Sequence, residues 1–212
     1  MIKLQKRIEN AVKNGRIALI PFLTAGFPTP ERFWKELKEL DENGADIIEI
    51  GVPFSDPVAD GPVVEMASVK ALEHGVSLAQ ILSELKKRKG QFKAGLVLMG
   101  YYNPFLQYGL EKLAHDAADA EVAGFIVPDL PLDESGPMKT ALRPKKLDLI
   151  PLVGPNTSLE RMRQYAETAT GYAYVVSVMG ITGVRQGLPP EVTATIERAR
   201  QAFGRLPVVL GF

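Results

Sequence analysis

An α/β fold of the (β/α)8 barrel type is what this sequence predicts, from the rhythm of its elements, the polar residues at its strand ends and its length. Seven short apolar runs alternate with helical patterns and begin at intervals mostly of about 23 to 35 residues, as parallel strands joined by crossover helices do. A doubly wound sheet shares that rhythm. Polar residues recur at the far ends of several different strands (Thr24, Glu49, Asp129 and Ser177) and no early G-x-G-x-x-G turn occurs, which favours the barrel. The 212 residues lie near the lower end of barrel lengths, where about 250 are usual. One barrel domain over residues 1–212 is therefore expected, ending at strand seven and incomplete at its C-terminus.

Each element has a local cause. Leu4, Ile8, Ala11 and Val12 are spaced for a short amphipathic helix that Asn14-Gly15 stops. Residues 18–24 form the first strand, ended by Gly26 and Pro28. Thr29-Pro30-Glu31 is an N-cap with proline at the first helical position, and Phe33, Leu37 and Leu40 make the stripe of the helix closing at Asn43-Gly44. Trp34 beside Phe33 reads as packing. Ile47, Ile48 and Ile50 are a β-branched run for strand two. After Pro62, Met66, Val69 and Leu72 give a helix stripe ended by His74-Gly75, with His74 as a surface cap. Ser77 caps the next helix, whose stripe is Ile81, Leu82 and Leu85, and Lys86-Lys87-Arg88-Lys89 complements its C-terminal dipole.

Residues 95–100 are strand three, followed by a helix marked by Leu110, Leu113, Ala117 and Ala120. Residues 124–129 are strand four. A helix runs from Asp133 through Leu142 to its break at Pro144, and residues 147–153 are strand five. Ser158 caps the helix over residues 159–166, residues 172–177 are strand six, Pro189-Pro190 starts a helix to Ala202, and residues 207–212 are strand seven.

Composition excludes several classes. With 25 basic and 25 acidic residues and no long block of like charge, neither a nucleic-acid footprint nor a membrane-surface patch is indicated. The absence of cysteine removes disulfides and thiolate metal sites, and an intracellular, cytoplasmic setting is expected. The first residues lack the uninterrupted apolar core of a signal peptide, and no run approaches a membrane span. His115 has no second histidine or cysteine nearby, so no metal site is expected.

Chemistry concentrates in residues 46–62. Side chains alternate along a strand, so Glu49 shares a face with Ile47 while Ile48 and Ile50 share the other. An ionised, unpaired acid in an apolar layer costs several kcal/mol, so Glu49 is protonated, paired or used, unless it is turned to solvent at the strand end. The loop to Asp60-Gly61-Pro62 is longer than a connection needs, and long βα loops tend to carry binding and chemistry.

The run Ile48-Glu49-Ile50-Gly51-Val52-Pro53-Phe54-Ser55-Asp56-Pro57-Val58-Ala59-Asp60-Gly61 resembles, nearly position by position, the signature of tryptophan synthase α subunits. The similarity spans the chain and includes Ile20-Pro21-Phe22-Leu23-Thr24-Ala25-Gly26-Phe27-Pro28, Val127-Pro128-Asp129-Leu130-Pro131 and the Gly-Ile-Thr-Gly core of residues 177–183. The resemblance implies a lyase that splits indole-3-glycerol phosphate into indole and glyceraldehyde 3-phosphate in tryptophan biosynthesis. It implies no cofactor in this subunit, and a β subunit carrying pyridoxal phosphate as partner in an α2β2 complex.

By the same resemblance Glu49 and Asp60 are catalytic. Glu49, desolvated, suits an acid that later acts as base; Asp60, on a loop, is expected to stay ionised and stabilise charge at the indole N–H. Phe22 and Tyr174 are expected as walls of the indole pocket or, alternatively, as barrel packing. Thr182, Gly183, Gly211 and Phe212 are expected around the substrate, Gly183 matching a phosphate-binding glycine and Gly211 bordering another. The loops over residues 53–62 and 178–188 are expected to close over substrate and touch the partner, with Asp56 near that contact. Glu65 departs from the glutamine of many members and is expected to leave the acid pair untouched. Two other readings remain: a non-catalytic barrel that docks on and regulates a β subunit, and a different barrel enzyme acting on a sugar phosphate.

Overall fold

The computed structural model describes residues 3–177 and 190–211. Helix α1 (Leu4–Lys13) precedes β1 (Phe22–Thr24), α2 (Pro30–Glu42), β2 (Ile47–Gly51), α3 (Pro62–Glu73), α4 (Leu78–Lys87) and β3 (Gly95–Met99). Then come α5 (Tyr102–Tyr108), α6 (Leu110–Asp119), β4 (Val122–Ile126), α7 (Gly136–Leu142), β5 (Asp148–Ile150), β6 (Leu152–Val153), α8 (Leu159–Ala166), β7 (Ala173–Val176), α9 (Pro190–Phe203) and β8 (Val208–Gly211). Every strand pairing is parallel, in the orders β1-β2-β3-β4-β5 and β6-β7-β8.

The expected fifth strand is one wall in two pieces. Pro151 has no N–H to give a ladder and separates β5 from β6. Its carbonyl still accepts from the Tyr174 N–H at 2.9 Å, so β5 continues the pairing from β4 and β6 hands it to β7. The eight segments are thus the seven strands of the barrel. Among the described residues β1 and β8 each pair on one side only.

The wall separates two kinds of core. Ile47, Val97, Ala123, Ile126, Ile150 and Tyr172 fill the inside, and Leu4 and Ile8 of α1 plug it from the end where the strands start. Ile48, Ile50, Leu96, Leu98 and Phe125 face the helical layer with Phe33, Leu37, Leu82 and Leu85. Two acids pin the layers together. Asp41, on α2, accepts from the backbone N–H of Lys93 (2.8 Å) and Ala94 (2.6 Å) just before β3. Asp46 accepts both Arg16 guanidinium nitrogens (2.6 and 2.7 Å) and the Leu19 N–H (2.9 Å), tying the segment before β1 to the start of β2.

Several expectations are corrected. The first strand is confined to Phe22–Thr24, and Val12 is exposed, outside the buried arc of α1. The helix expected from Asp133 begins at Gly136, after a 3-10 turn at Leu132–Glu134; Pro137 cannot donate backward, so it starts the α-helix rather than continuing one. Helix α5 is additional. Asp129, 27 residues further along, accepts the Tyr102 N–H at 2.9 Å and caps α5 from outside, a signal that local spacing does not carry.

On α3 the expected stripe is reversed: Met66, Val69 and Leu72 are exposed while Ala67, Ser68 and Ala71 are buried. Small side chains let the helix approach the wall near β1 closely, which the larger ones prevent. His74 ends α3 at the surface, as expected, and His115 is exposed on α6. Trp34 packs edge-on against Phe33 and under the Arg88 guanidinium. Among the described residues no helix is long and apolar enough to cross a membrane.

Candidate active site

Strand β2 alternates as its sequence requires, with Ile48 and Ile50 outward and Ile47 inward, which leaves Glu49 inward. Pairing sets Glu49 beside Phe22 of β1 on one side and Val97 of β3 on the other. Glu49 is 3% exposed, and among the described residues its carboxyl group accepts one hydrogen bond, from the Tyr172 O–H at 2.8 Å. Burial disfavours its charge and pushes its pKa up to about 7, with the Tyr172 bond opposing that shift. Solvent is not its partner, so the alternative of an acid turned to water is set aside.

Tyr172 is fully buried. Burial first, then the neighbouring Glu49 charge and hydrogen bond, hold its pKa well above the ordinary value, so its proton stays on the phenol and is donated. Tyr174, two residues on and on the same face, has its pKa raised by burial and then by Glu49. A Cβ built on Gly211 would lie 1.8 Å from the Tyr174 hydroxyl oxygen, so the position of this ring depends on β8 carrying glycine there. Gly51 plays the same part for Phe22: a Cβ there would meet the ring at 2.5 Å.

Asp60 lies on the loop between β2 and α3. That position leaves it half-buried. Burial raises its pKa, a hydrogen bond with Tyr101 opposes the rise, and the charge of Glu65 adds to it. Glu65 stands in the first turn of α3, and its charge is the smallest of these effects on Asp60.

Tyr101 organises this loop. Its phenolic oxygen accepts the Ala59 N–H at 3.0 Å, its ring lies 5.3 Å from the Phe54 ring, and burial pushes its pKa up to about 12. Both ends of the loop are held by one side chain, while Asp56 and Val58 at its tip are exposed.

Phe22, Thr24, Gly51, Asp60, Tyr101 and Pro128 line a small cleft of about 20 Å3. Glu49 is not among its lining residues; it sits sealed against Tyr172. Glu49 thus stands beside Phe22 in the β1–β2 register, Tyr174 packs against Gly211, and Asp60 shares with Phe22 the lining of the cleft. Thr182, Gly183, Phe212 and the loop over residues 178–188 lie outside the described residues.

Sequence reading missed Tyr172 and Tyr101. The first was legible, because Tyr172 and Tyr174 share a strand face by period two. The second was not, because its partners come from a loop some forty residues earlier.

Residues 8–212 match the family model described as "Tryptophan synthase alpha chain". Tryptophan synthase alpha chains of Nitratidesulfovibrio vulgaris strain DP4 and Desulfovibrio desulfuricans are 64% and 66% identical, over 99% of this chain and 81% and 82% of theirs. A solved Mycobacterium tuberculosis tryptophan synthase superposes with a TM-score of 0.90 at 35% identity, covering 99% of this chain and 79% of that one. The Legionella pneumophila tryptophan synthase alpha chain gives 0.87 at 33% identity, over 100% and 78%. With its barrel wall, its inward acid and this likeness over nearly its whole length, the chain belongs to the tryptophan synthase alpha chain family.

Proposed function

We propose that this protein cleaves indole-3-glycerol phosphate to indole and glyceraldehyde 3-phosphate, with Glu49 as the proton-transferring group. The observation that carries the proposal is a carboxyl group buried inside the barrel with its pKa at about 7, where either protonation state is accessible at neutral pH. Protonated Glu49 gives its proton to the indole ring carbon that bears the glycerol chain. The resulting carboxylate removes the proton of the adjacent glycerol hydroxyl. The carbon–carbon bond then breaks, its electron pair returns to the ring, and the hydroxyl carbon becomes an aldehyde. Protons and electrons balance without an external oxidant or reductant.

Asp60 accepts the indole N–H and stabilises the positive charge that ring protonation puts there. Tyr101 fixes the loop that carries it. Phe22 and Tyr174 wall the ring, and Thr182, Gly183, Gly211 and Phe212 hold the glycerol phosphate. A cleft of about 20 Å3 has room for roughly one water, so substrate binding requires the Tyr101-held loop to open and then close behind the ring.

The partner we propose is a β subunit carrying pyridoxal phosphate in an α2β2 assembly, docked at the exposed loop tip of Asp56 and Val58 and using the released indole. The whole chain acts as one barrel domain in the cytoplasm. Supplying indole-3-glycerol phosphate and following indole tests the reading: Glu49→Gln should lose about 10²–10⁴-fold of turnover with substrate binding retained. Wild-type turnover by this variant would remove Glu49 from the mechanism, and no indole from the wild-type protein, with or without β subunit, would remove the lyase activity.

A further inference from the structure

A second cavity shares Pro128 with the Asp60 cleft. It has about 470 Å3 and lies between the wall at β5–β6 and helices α7 and α8, within the size range of small-molecule sites. None of Glu49, Asp60, Phe22 or Tyr174 lines it.

Its existence has a structural cause. The wall changes partners at Pro151, and the two helices beside the break are joined by polar cross-links at their margins. Lys139 donates to the Thr168 hydroxyl at 2.8 Å, and Arg161 grips both Asp133 oxygens at 2.5 and 3.2 Å. Between these links Leu132, Leu149 and Tyr165 line the hollow.

The charges facing the hollow are unequal in how they are met. Asp129 already accepts the Tyr102 N–H. Lys139 has a neutral hydroxyl as its only hydrogen-bond partner and no carboxylate within ion-pair distance among the described residues, and burial holds its ammonium below the usual lysine range. Ser135 is buried at the rim, with its O–H donated to the Leu132 carbonyl at 2.5 Å. The hollow therefore presents leucine and tyrosine side chains, the Lys139 ammonium with no carboxylate within ion-pair distance among the described residues, and the exposed carboxylate of Asp129.

We propose that this cavity binds a small apolar carboxylic acid, its hydrocarbon or aromatic body against Leu132, Leu149 and Tyr165 and its carboxylate on the Lys139 ammonium, turned away from Asp129. The proposal is independent of the lyase reading, because no residue assigned to that reaction lines the cavity. Any effect on the reaction would pass through Pro128, which lines both this cavity and the Asp60 cleft.

The test is a titration of the 212-residue protein with 3-phenylpropionate and, separately, with the uncharged 3-phenylpropanamide, followed by backbone amide NMR. The acid should saturate at about millimolar concentration or tighter, and the amide should bind at least about tenfold more weakly. The signals that move should belong to residues 130–139, 149–152 and 165–169. Lys139→Met should bring the acid down to the affinity of the amide, and Lys139→Arg should keep the preference. Both variants should retain the wild-type melting transition and indole release. The proposal is overturned by absence of saturable binding up to about 10 mM, by equal binding of acid and amide, by undiminished acid binding to Lys139→Met, or by shifts confined to the barrel mouth.

Discussion

Glu49 and Tyr172 set the pH behaviour of the molecule. If the protonated acid starts the reaction, kcat/KM should fall as pH rises through about 7, tenfold per unit beyond it, because the protonated fraction falls so. Tyr172→Phe removes a donor that favours the carboxylate, so the same limb should move to higher pH; a limb that stays put would separate Tyr172 from the titration. Stability follows the same sign. Glu49 holds its proton more tightly when folded, at about 7, than at the ordinary value of 4.5 that it takes in the unfolded chain, so between these pH values the folded state binds more protons. Its contribution is complete below about 4.5 and is lost as pH rises through about 7, by about 3 kcal/mol across the window. Glu49→Gln should abolish this slope, making the variant more stable than wild type at pH 8 in urea unfolding. A variant that tracks wild type at both pH 4 and pH 8 would show that the burial penalty is absent.

Elements are held by contacts that cross the chain, and these are where sequence reading stopped. The inward placement of Glu49 was legible because alternation along β2 needs only the sequence order of Ile47, Ile48, Glu49 and Ile50. The N-caps Thr29, Ser77 and Ser158 were legible for the same local reason, and each accepts the backbone N–H three residues on. Asp41 was not, since the N–H groups it accepts from, those of Lys93 and Ala94, lie some fifty residues away. Asp41→Ala should leave two N–H groups at the start of β3 without their acceptor and cost about 2–4 kcal/mol, read as a lower urea midpoint with unchanged slope. Gly51→Ala is the packing counterpart. The added carbon meets the Phe22 ring, and overpacking of this kind costs about 1–3 kcal/mol. It should also displace Phe22 and weaken indole binding more than Thr29→Ala, which loses only about 1 kcal/mol of helix cap.

At the scale of the whole molecule, the barrel was legible from rhythm and strand-end chemistry, while its finer arrangement was not. The break at Pro151 divides one strand between two partners, which a count of apolar runs cannot reveal. The exposed Met66, Val69 and Leu72 on α3 satisfy a helical period as well as a buried stripe does. Periodicity gives a face, and tertiary packing decides which face is covered. The seat of Asp60, on a loop that Tyr101 meets at both Phe54 and Ala59, likewise depends on contacts that spacing does not encode. Tyr101→Phe should loosen this loop, lowering affinity for indole-3-glycerol phosphate while leaving the melting temperature within a few degrees; unchanged affinity would remove Tyr101 from loop control.

Every step of the account needs the acid on β2 to exchange a proton near neutrality in a dry interior. Selective 13C labelling of glutamate side chains, with Glu49→Gln to assign the resonance, measures that directly as the carboxyl titrates. The prediction is a midpoint near 7, moving upward in Tyr172→Phe. A midpoint at the ordinary glutamate value of about 4.3 would mean a solvated carboxylate and would contradict the account.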